Sequence, residues 1–519
     1  MKRWIVVITV ITAAVMELID TSIVNVGIYQ MAGNLGVTIE DISWVITSYA
    51  IANVIIIPLT GFLQNYFGRK NYFVASIALF TFASYLCGIA DTLPLLVLAR
   101  FLQGVGGGAL LSVSQGLLYD SFPIHQRAIA SAVFGMGIVL GPTFGPTLGG
   151  YIIDNYHWSW MFFINVPIGI VAFLLSYIYI DKKPEEHHID RSKIKIDYLG
   201  IVLLSIGIGC LQYVLERGEA NDWFEDPTIV ICTIALIVSL TSFIWWELKI
   251  PNPVVNLRVL KNRNLLLGSI LVFVIGIGLF TSVFMYPLFV QRIIGYTATQ
   301  TGLLLIPGAG ITLFIFPIVG RLISKGVPPR SIATVGYLAF ALFCYQMSII
   351  DLNASPAILM GALMIRGVGL ALSNVPLINQ SISTLTPQEM PMGIAITNMI
   401  RQIGGAVGVA LVNTYIAQRL PLNAMNLSAH LQPGDMLTQE RLTTMSQGLI
   451  ARGINPLDAL QLSYGNLNLA VQKQALMLSY LDVFQVATMF FIVTFPLLFL
   501  LEKKKMTPQT AKAAADASH

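Results

Sequence analysis

Apolar runs recur along almost the whole chain, each bounded by charged residues, proline or asparagine. An apolar α-helix of about 20 residues crosses a bilayer core of roughly 30 Å. The pattern predicts fourteen transmembrane helices, over approximately residues 4–29, 42–64, 72–90, 94–118, 127–150, 161–180, 198–216, 227–247, 265–290, 301–322, 331–350, 357–380, 391–415 and 475–501. We therefore expect an all-α integral membrane protein, for which lipid is the solvent.

Polar stretches interrupt this pattern at two places. Residues 181–197 (DKKPEEHHIDRSKIKID) are rich in charge and predict a solvated linker. Residues 416–474 are too polar to cross a membrane, yet apolar residues recur at helical spacing through Ala451 to Leu469. We expect this second segment to form a helical hairpin outside the membrane, and residues 502–519 to form a polar tail.

The distribution of positive charge predicts the orientation. Hydrophobic residues make up 55% of the 519 residues and charged residues only 11%, against roughly 25% charged in a soluble domain. With the amino terminus inside, most of the 30 Lys and Arg residues fall in cytoplasmic loops, as the positive-inside rule requires. We expect both termini in the cytoplasm, and the net charge of +4 does not indicate a nucleic-acid partner.

Several kinds of chemistry are excluded by what the chain lacks. The four cysteines all lie inside apolar runs, without a CxxC pair. The phosphate-loop pattern GxxxxGK[ST], the HExxH pair and the GxSxG elbow are also absent. We therefore expect no disulfide, no metal, no cofactor and no enzymatic activity, and an energy source other than ATP.

A weak internal repeat indicates two similar halves. PLTGFL at residues 58–63 is matched by PIVGRL at 317–322, and Arg100 and Arg366 each precede a Gly-Val-Gly sequence. The two offsets agree to within a loop insertion, as expected for parallel repeats with a substrate path between them. The repeat predicts a six-helix bundle over residues 1–180, an inserted helix pair over 198–247 and a second bundle over 265–501.

Few ionisable residues fall inside the predicted spans, and such residues almost always face the interior of a bundle or a water-filled cavity. Glu17 and Asp20 lie three residues apart on one face of the first helix. Carboxylates in a poorly hydrated site are suited to binding and releasing protons, so both are candidates for proton coupling. Arg100 is a third candidate, with Arg366 and Arg401 as weaker ones. The alternative is that these residues make static hydrogen bonds and ion pairs.

A substrate cavity with apolar walls and few polar groups suits loosely defined ligands. The sequence offers aromatic and polar residues at interior positions of the spans, and we expect the cavity to be lined by Tyr49, Asn53, Gln115, Phe134, Phe280, Phe284, Tyr286 and Arg401.

The fifth predicted span contains the run GPTFGPTLGG at residues 141–150. Its glycines, Gly141, Gly145, Gly149 and Gly150, allow close approach of a neighbouring helix. Its prolines, Pro142 and Pro146, remove backbone hydrogen bonds and predict a bend. We expect this helix to act as a hinge or seal, although ordinary close packing would use the same residues.

Taken together, these motifs resemble the fourteen-helix drug:H⁺ antiporter branch of the major facilitator superfamily, and most closely its EmrB/QacA subfamily. The resemblance is carried by six segments in the family's order: LIDTSIVNV (18–26), GFLQNYFGRK (61–70), RFLQGVGGGA (100–109), GPTFGPTLGG (141–150), NYHWSWMFFINVPIG (155–169) and GYTATQTGLLLIPG (295–308). The second segment is similar to the family's loop 2–3 signature at Gly61, Gly68, Arg69 and Lys70. It departs from it at Asn65, where the family has an aspartate, so the charge pairing of that aspartate does not carry over.

The resemblance implies a proton-driven exporter of hydrophobic or amphipathic drugs in the bacterial inner membrane, working by alternating access. EmrB-type members also work with a periplasmic membrane-fusion adaptor and an outer-membrane channel, whereas QacA-like relatives act alone. Export of a dedicated metabolite such as a siderophore, lipid or peptide is the alternative on the same fold. A receptor or a scaffold is a weaker interpretation, because neither needs carboxylates within the spans. A membrane enzyme is the weakest, because the sequence shows no nucleophile–base pair.

Overall fold

The computed structural model describes residues 2–123, 126–181, 196–251, 253–352, 354–386, 389–431 and 435–501. These residues are helical and contain no β-strand. The α-helices are α1 (Lys2–Leu35), α2 (Ile39–Ile42), α3 (Trp44–Phe67), α4 (Arg69–Gly88), α5 (Leu93–Asp120), α6 (Arg127–Asn155), α7 (Trp160–Phe163), α8 (Asn165–Tyr179), α9 (Tyr198–Arg217), α10 (Pro227–Lys249), α11 (Arg263–Phe289), α12 (Ala298–Ser324), α13 (Pro329–Ser348), α14 (Pro356–Ile382), α15 (Met390–Ala429), α16 (Met436–Ile450) and α17 (Pro456–Thr494).

Fourteen stretches of this described chain are long and apolar enough to cross a membrane. Helices α7 and α8 together make the sixth stretch, a π-helical turn at Val290–Ile294 extends α11, and a 3₁₀ turn at Phe495–Leu500 extends α17. The prediction of an all-α protein with fourteen membrane-spanning helices is confirmed.

Local sequence signals explain where several helices begin. Helices α5, α10, α13 and α14 each carry proline in the first turn, where its missing N–H is not needed. Helix α12 begins with a capping box, in which Thr297 Oγ1 accepts from Gln300 N at 3.2 Å and Gln300 Oε1 accepts from Thr297 N at 3.0 Å. Gly68 separates α3 from α4 with a φ of 82°, a backbone conformation that favours glycine.

The two faces of the bundle are distinguished by the chain's own ends. Because the number of spans is even, Lys2 and Leu501 lie at the same face, which we call the terminal side. The opposite face carries α16 and is called the hairpin side. Arg69 pairs with Asp120 at the terminal side, and Lys70 Nζ donates to the Tyr177 carbonyl at 2.7 Å.

The spans pack as two groups with an inserted pair between them. Helices α1, α3, α4, α5, α6 and α8 pack with one another, as do α11 to α15 with α17. Helices α9 and α10 pack against each other, and α9 also contacts α3 of the first group and α15 of the second. The inserted pair therefore lies at the seam between the two groups. Residues 182–195 of the predicted linker and 502–519 of the predicted tail lie outside the described residues.

Helices α6 and α12 join the two groups, as do α3 and α15. Polar contacts across this seam fall in the half of the spans nearer the terminal side. Ser131 Oγ donates to Asn379 Oδ1 at 3.1 Å, and Asn398 Nδ2 donates to Ser112 Oγ and Gln115 Oε1, both at 3.2 Å. The seam is thus closed at the terminal side.

The segment 416–474 is more helical than a loop with a short hairpin. Helix α15 continues without a break to Ala429, α17 already begins at Pro456, and α16 packs against α17 between them. The two spans therefore project beyond the bundle as long helices. Several large apolar side chains of this projection are exposed: Leu422, Met425, Met436, Leu437, Leu457, Leu460, Leu462, Tyr464 and Leu469.

Candidate transport site

Asp20 is the centre of a buried polar network inside the first group of helices. It is 0% exposed and accepts three side-chain hydrogen bonds from three other positions. Arg100 Nη1 donates to Oδ2 at 2.6 Å, while Gln103 Nε2 and Asn165 Nδ2 donate to Oδ1 at 2.8 and 2.7 Å. The network thereby ties α1 to α5 and α8 through one carboxylate.

Arg100 is as fully enclosed as its partner, at 1% exposed. Its Nε donates to the Val45 carbonyl at 3.0 Å, its Nη1 also donates to Gln103 Oε1 at 2.6 Å, and its guanidinium lies 4.2 Å from the centre of the Tyr49 ring. A buried ion pair with every partner in place is tolerated, whereas removal of one partner costs about 3–5 kcal/mol. Asp20 and Arg100 are therefore direct partners, and each would be left unpaired without the other.

Glu17, one turn away, has a different environment. Its Oε1 accepts from Asn53 Nδ2 at 3.0 Å, but its buried Oε2 has no hydrogen-bond partner. Arg401 of α15 is close enough for its charge to act on Glu17, and the Nε and Nη1 atoms of Arg401 are buried without a partner. An unpaired carboxylate oxygen of the first group and unpaired guanidinium nitrogens of the second are therefore both buried where the two groups face each other.

Arg366 has no equivalent of Asp20. It occupies the position in α14 that corresponds to Arg100 in α5, and its Nη1 donates to Ser282 Oγ of α11 at 3.3 Å. Its nearest polar neighbour on the next turn of α11 is Tyr286, whose buried hydroxyl lacks a partner. A neutral tyrosine and a serine therefore stand where the first group has a carboxylate.

The predicted cavity residues divide into two sets. The three polar residues lie at the seam. Asn53 bonds Glu17, and Gln115 bonds Asn398 of the second group. The Nε and Nη1 atoms of Arg401 are buried there without a partner. The aromatic residues lie at separate places. Tyr49 packs under Arg100, Phe134 is 2% exposed in the core of the first group, and Tyr286 is 0% exposed in the core of the second. Phe280 packs on Gly405 of α15, and Phe284 is half-buried, so their role as cavity walls stays a prediction. Aromatic content alone does not distinguish core from cavity.

The glycine run in α6 forms a groove for α1. A side chain at Gly141 would overlap Leu18, one at Gly145 would overlap Ser22, and one at Gly149 would lie 2.9 Å from Ile23 Cγ1. Ser22 Oγ also donates to the Gly141 carbonyl at 3.1 Å. The helix that carries Glu17 and Asp20 is thus seated directly on this run.

The remaining residues of the run differ in placement. Gly150 is buried and Pro146 is half-buried within the continuous helix α6, whereas the side chain of Pro142 lies outside the described residues. The predicted bend stays a prediction.

The loop 2–3 residues hold the terminal side together. Gly61 lies against Met392 of the second group, with 3.0 Å between its missing Cβ and Met392 Cε. Gly68 makes the turn, while Arg69 and Lys70 pair with Asp120 and the Tyr177 carbonyl. Asn65 is exposed and makes no hydrogen bond within the described residues, so it does not replace the family's aspartate as a link to a neighbouring helix.

Sequence reasoning missed Gln103, Asn165 and Ser84 as members of the Asp20 network. Gln103 Nε2 also donates to Ser84 Oγ at 2.6 Å, which adds α4 to the network. Gln103 and Asn165 both lie inside motifs that carry the family resemblance, RFLQGVGGGA and NYHWSWMFFINVPIG. The sequence signal for them is an amide side chain inside an apolar span, because a buried amide needs a hydrogen-bond partner.

Two groups of helices that meet at a seam, with charged side chains buried along it, are the arrangement of a membrane transporter whose substrate path lies between its halves. Residues 10–409 match the family model of the Major Facilitator Superfamily. The chain belongs to this family, and it is a transporter rather than an enzyme.

Curated relatives support this assignment along nearly the whole chain. It is 34% identical over 491 residues to the fatty acid resistance protein FarB of Neisseria gonorrhoeae, which covers 94% of each protein. It is 35% identical over 442 residues to the multidrug export protein EmrB of Haemophilus influenzae, which covers 84% of each. The resemblance to EmrB-type members of the superfamily is confirmed.

A solved structure shares the fold. The human organic anion transporter MFSD10 (TETRAN) aligns with a TM-score of 0.56 and 13% identity over 94% of this chain and 99% of that one. At this level of identity the likeness concerns the arrangement of helices alone. It agrees with the fold class that the hydrophobic pattern predicts.

Proposed function

We propose that this protein is a proton-coupled exporter of hydrophobic or amphipathic drugs that exchanges substrate for protons by alternating access. The observation that carries the proposal is the contrast between two carboxylates on one helix. Asp20 is saturated by three donors, whereas Glu17 presents an unpaired oxygen beside the unpaired guanidinium of Arg401. Glu17 is thus the carboxylate with free capacity to take up a proton or a donor group.

The network around Asp20 supplies a means of coupling. A proton on Asp20 would cancel the negative charge that Arg100 faces and leave the guanidinium with only the Val45 carbonyl and Gln103 Oε1. The bonds that tie α1 to α5 and α8 would then weaken. Helix α1 also packs on the glycine run of α6. If α1 moves, its contact with α6 changes, and α6 is one of the helices that form the seam.

Multidrug export is the substrate assignment that the relatives favour, since the EmrB proteins of Haemophilus influenzae and Escherichia coli are both 35% identical and named for that activity. The same relatives favour the inner membrane of a bacterium as the location. The positive-inside rule orients the terminal side toward the cytoplasm.

The projecting hairpin is the part of the molecule best suited to a periplasmic partner. Met436, Leu437 and Leu457 are 81%, 73% and 75% exposed on it, and contiguous exposed apolar surface marks interaction sites. We infer that a membrane-fusion adaptor binds this projection and connects the transporter to an outer-membrane channel.

Proton coupling is tested with purified protein in liposomes under an imposed pH gradient. Wild type is expected to move a lipophilic cationic dye against its gradient and to release protons when dye is added. Asp20→Asn should abolish gradient-driven transport by more than tenfold while dye binding persists, and Glu17→Gln should reduce proton release on dye binding. Asp91→Asn, at an exposed position between α4 and α5, is the matched control.

Full dye transport by folded Asp20→Asn under the gradient would remove Asp20 from the mechanism. Equal dye uptake by wild type with and without a pH gradient would remove proton coupling altogether. Dye binding and thermal unfolding of each variant separate these outcomes from loss of the fold.

Export of fatty acids is a second candidate, favoured by one feature of the seam. The Nε and Nη1 atoms of Arg401 are buried and unpaired, which suits a carboxylate on an apolar chain, and FarB is named for fatty acid resistance. In the same liposomes, Arg401→Gln should then lose fatty-acid transport and keep dye transport. Loss of both substrates together would assign Arg401 to the conformational cycle instead.

A further inference from the structure

A second pair of buried carboxylates lies in the inserted helices, away from Glu17 and Asp20. Asp197 caps the start of α9 and Glu247 lies in the last turn of α10, so both are at the terminal side. They are 5% and 0% exposed. A methyl group built on Gly200 would lie 2.7 Å from Glu247 Oε1 and would also overlap Asp197 Oδ2. The two carboxyl groups therefore converge on one point.

Asp197 is well supplied with donors. Its Oδ1 accepts from Gly200 N at 2.9 Å, and Trp246 Nε1 lies 2.9 and 3.1 Å from Oδ1 and Oδ2. These are the bonds of a helix cap, in which the donors point at the side-chain oxygens. Asp197 is thus the acceptor member of the pair.

Glu247 has the opposite situation. Both of its carboxyl oxygens are buried without a hydrogen-bond partner, and the backbone amides of Val254 and Val255 lie beside them without hydrogen-bonding geometry. Phe243, Val254 and Val255 belong to the apolar cluster at this place. An ionised carboxylate without donors in such surroundings is far more costly to bury than a neutral one.

Among the described residues of the neighbouring elements, the cations are engaged elsewhere or exposed. Lys249 of the same helix stacks on Trp245 at 3.7 Å, and Arg258 of the 3₁₀ turn Leu257–Lys261 donates to the carbonyls of residues 248 and 250. Lys261 of that turn is exposed. Asp197 is the charge that acts on Glu247 within the described residues, and two carboxyl groups side by side cannot both be ionised cheaply.

We propose that Asp197 and Glu247 form a binding site for one proton, carried by Glu247 and donated to Asp197. The shared proton turns two repelling groups into a hydrogen bond that fastens α10 to the start of α9. A metal ion is a poorer occupant, because calcium takes about 6–8 oxygen ligands and the described residues offer no group of three or more metal-binding side chains. The proposal does not depend on whether transport is proton-coupled.

The proposed proton site lies where the inserted helices pack on both groups of helices. Leu204 and Ile208 of α9 share an apolar cluster with Val54 and Leu59 of α3 and with Ile396 of α15. The inserted pair is therefore anchored on both groups of helices at the closed end of the seam. Opening the terminal side of the seam would separate α3 from α15. The bond between Asp197 and Glu247 holds α9 and α10 together, and it therefore affects how strongly this pair resists the separation.

Infrared spectroscopy of purified protein in nanodiscs at neutral pH tests the proposal directly. A protonated buried carboxyl group gives a C=O stretching band apart from that of carboxylates. We expect wild type to show such a band and Glu247→Gln to lose one carboxyl group's share of it. Glu225→Gln, at an exposed glutamate in the turn between α9 and α10, should leave the spectrum unchanged.

Thermal unfolding gives an independent readout. Raising the pH ionises the pair and adds a second negative charge in the apolar cluster, so the midpoint of wild type should fall as the pH rises from about 5 to 8 and level off above this range. In Glu247→Gln the amide donates permanently to Asp197, so the midpoint should stay flatter over this range. Asp197→Asn, which keeps a side-chain acceptor for the helix cap, should flatten it as well.

An unchanged acid band in folded Glu247→Gln would overturn the proposal. Stabilisation of wild type by Na⁺ or Ca²⁺ at constant ionic strength, lost in Glu247→Gln, would also overturn it in favour of a cation site. Because both readouts are made without substrate or gradient, they are independent of the outcome for Asp20.

Discussion

The contact between α1 and the glycine run of α6 can be tested by adding volume at its centre. Gly145→Leu places a side chain where Ser22 stands, and even the first added carbon would lie 2.8 Å from Ser22 Cβ. Ser22 cannot turn away freely, because the carbonyls of Leu18, Ile19 and Gly141 surround its hydroxyl as acceptors at 2.9, 3.0 and 3.1 Å. The two helices must therefore separate.

The size of the effect follows from two opposing contributions. Replacing glycine by leucine inside a helix gains about 1 kcal/mol in helix propensity, whereas overpacking a close contact costs about 1–3 kcal/mol. The net loss of stability in this conformation should be at most about 2 kcal/mol. Transport should suffer much more, because separation of α1 from α6 moves the helix that carries Glu17 and Asp20.

Gly310→Leu in α12 is the matched control, since nothing lies within 4 Å of its missing Cβ. It has the same gain in propensity without the overlap. Expression and thermal unfolding should be near wild type for both variants, with Gly145→Leu lower by a few degrees. Dye transport in liposomes should be normal for Gly310→Leu and reduced at least tenfold for Gly145→Leu. Normal transport by Gly145→Leu would refute the reasoning and leave the run as inert packing.

Three further changes test other parts of the molecule. Replacing residues 416–474 by a Gly/Ser linker should keep transport in liposomes but remove adaptor binding and whole-cell resistance; lost liposome transport would place the hairpin in the transport path. Gly68→Ala should destabilise the turn between α3 and α4 by about 1–3 kcal/mol, because its φ of 82° strains any side chain, and an unchanged unfolding midpoint would contradict this. Arg100→Gln should abolish transport and Arg366→Gln should only weaken it, and equal defects in the same assay would argue against a special role for the first group.

The membrane pattern could be derived from the chain because hydropathy and charge act locally. A membrane span needs only length and apolar composition. The predicted spans therefore agree with the helices to within a few residues, except where a helix continues beyond the bilayer. Helices α15 and α17 continue to Ala429 and back to Pro456 because polar residues are compatible with a helix in water as well. The hydrophobic pattern marks where lipid ends and does not mark where a helix ends.

The site was only partly predictable, because the hydrogen-bond partners of a buried side chain depend on how the helices pack. Glu17 and Asp20 were found as a pair on one helical face, yet their surroundings differ: Asp20 turns into its own group of helices and Glu17 toward the seam. Residues far apart in the chain, such as Asn165 and Arg401, decide this difference. The aromatic lining of the cavity stays a prediction, because a phenylalanine in a core and one in a cavity have the same sequence signal.

The two halves carry the same arginine but different chemistry, and this asymmetry bears on how a single proton gradient could drive the cycle. Arg100 is bound to a carboxylate that can be neutralised by one proton, whereas Arg366 faces Ser282 and Tyr286, which have no negative charge to lose. Protonation would therefore change the internal bonding of the first group and leave the second group as it is. Conversion of Arg366's surroundings toward those of Arg100, by Tyr286→Asp, should thus give a folded protein whose transport is less efficiently coupled.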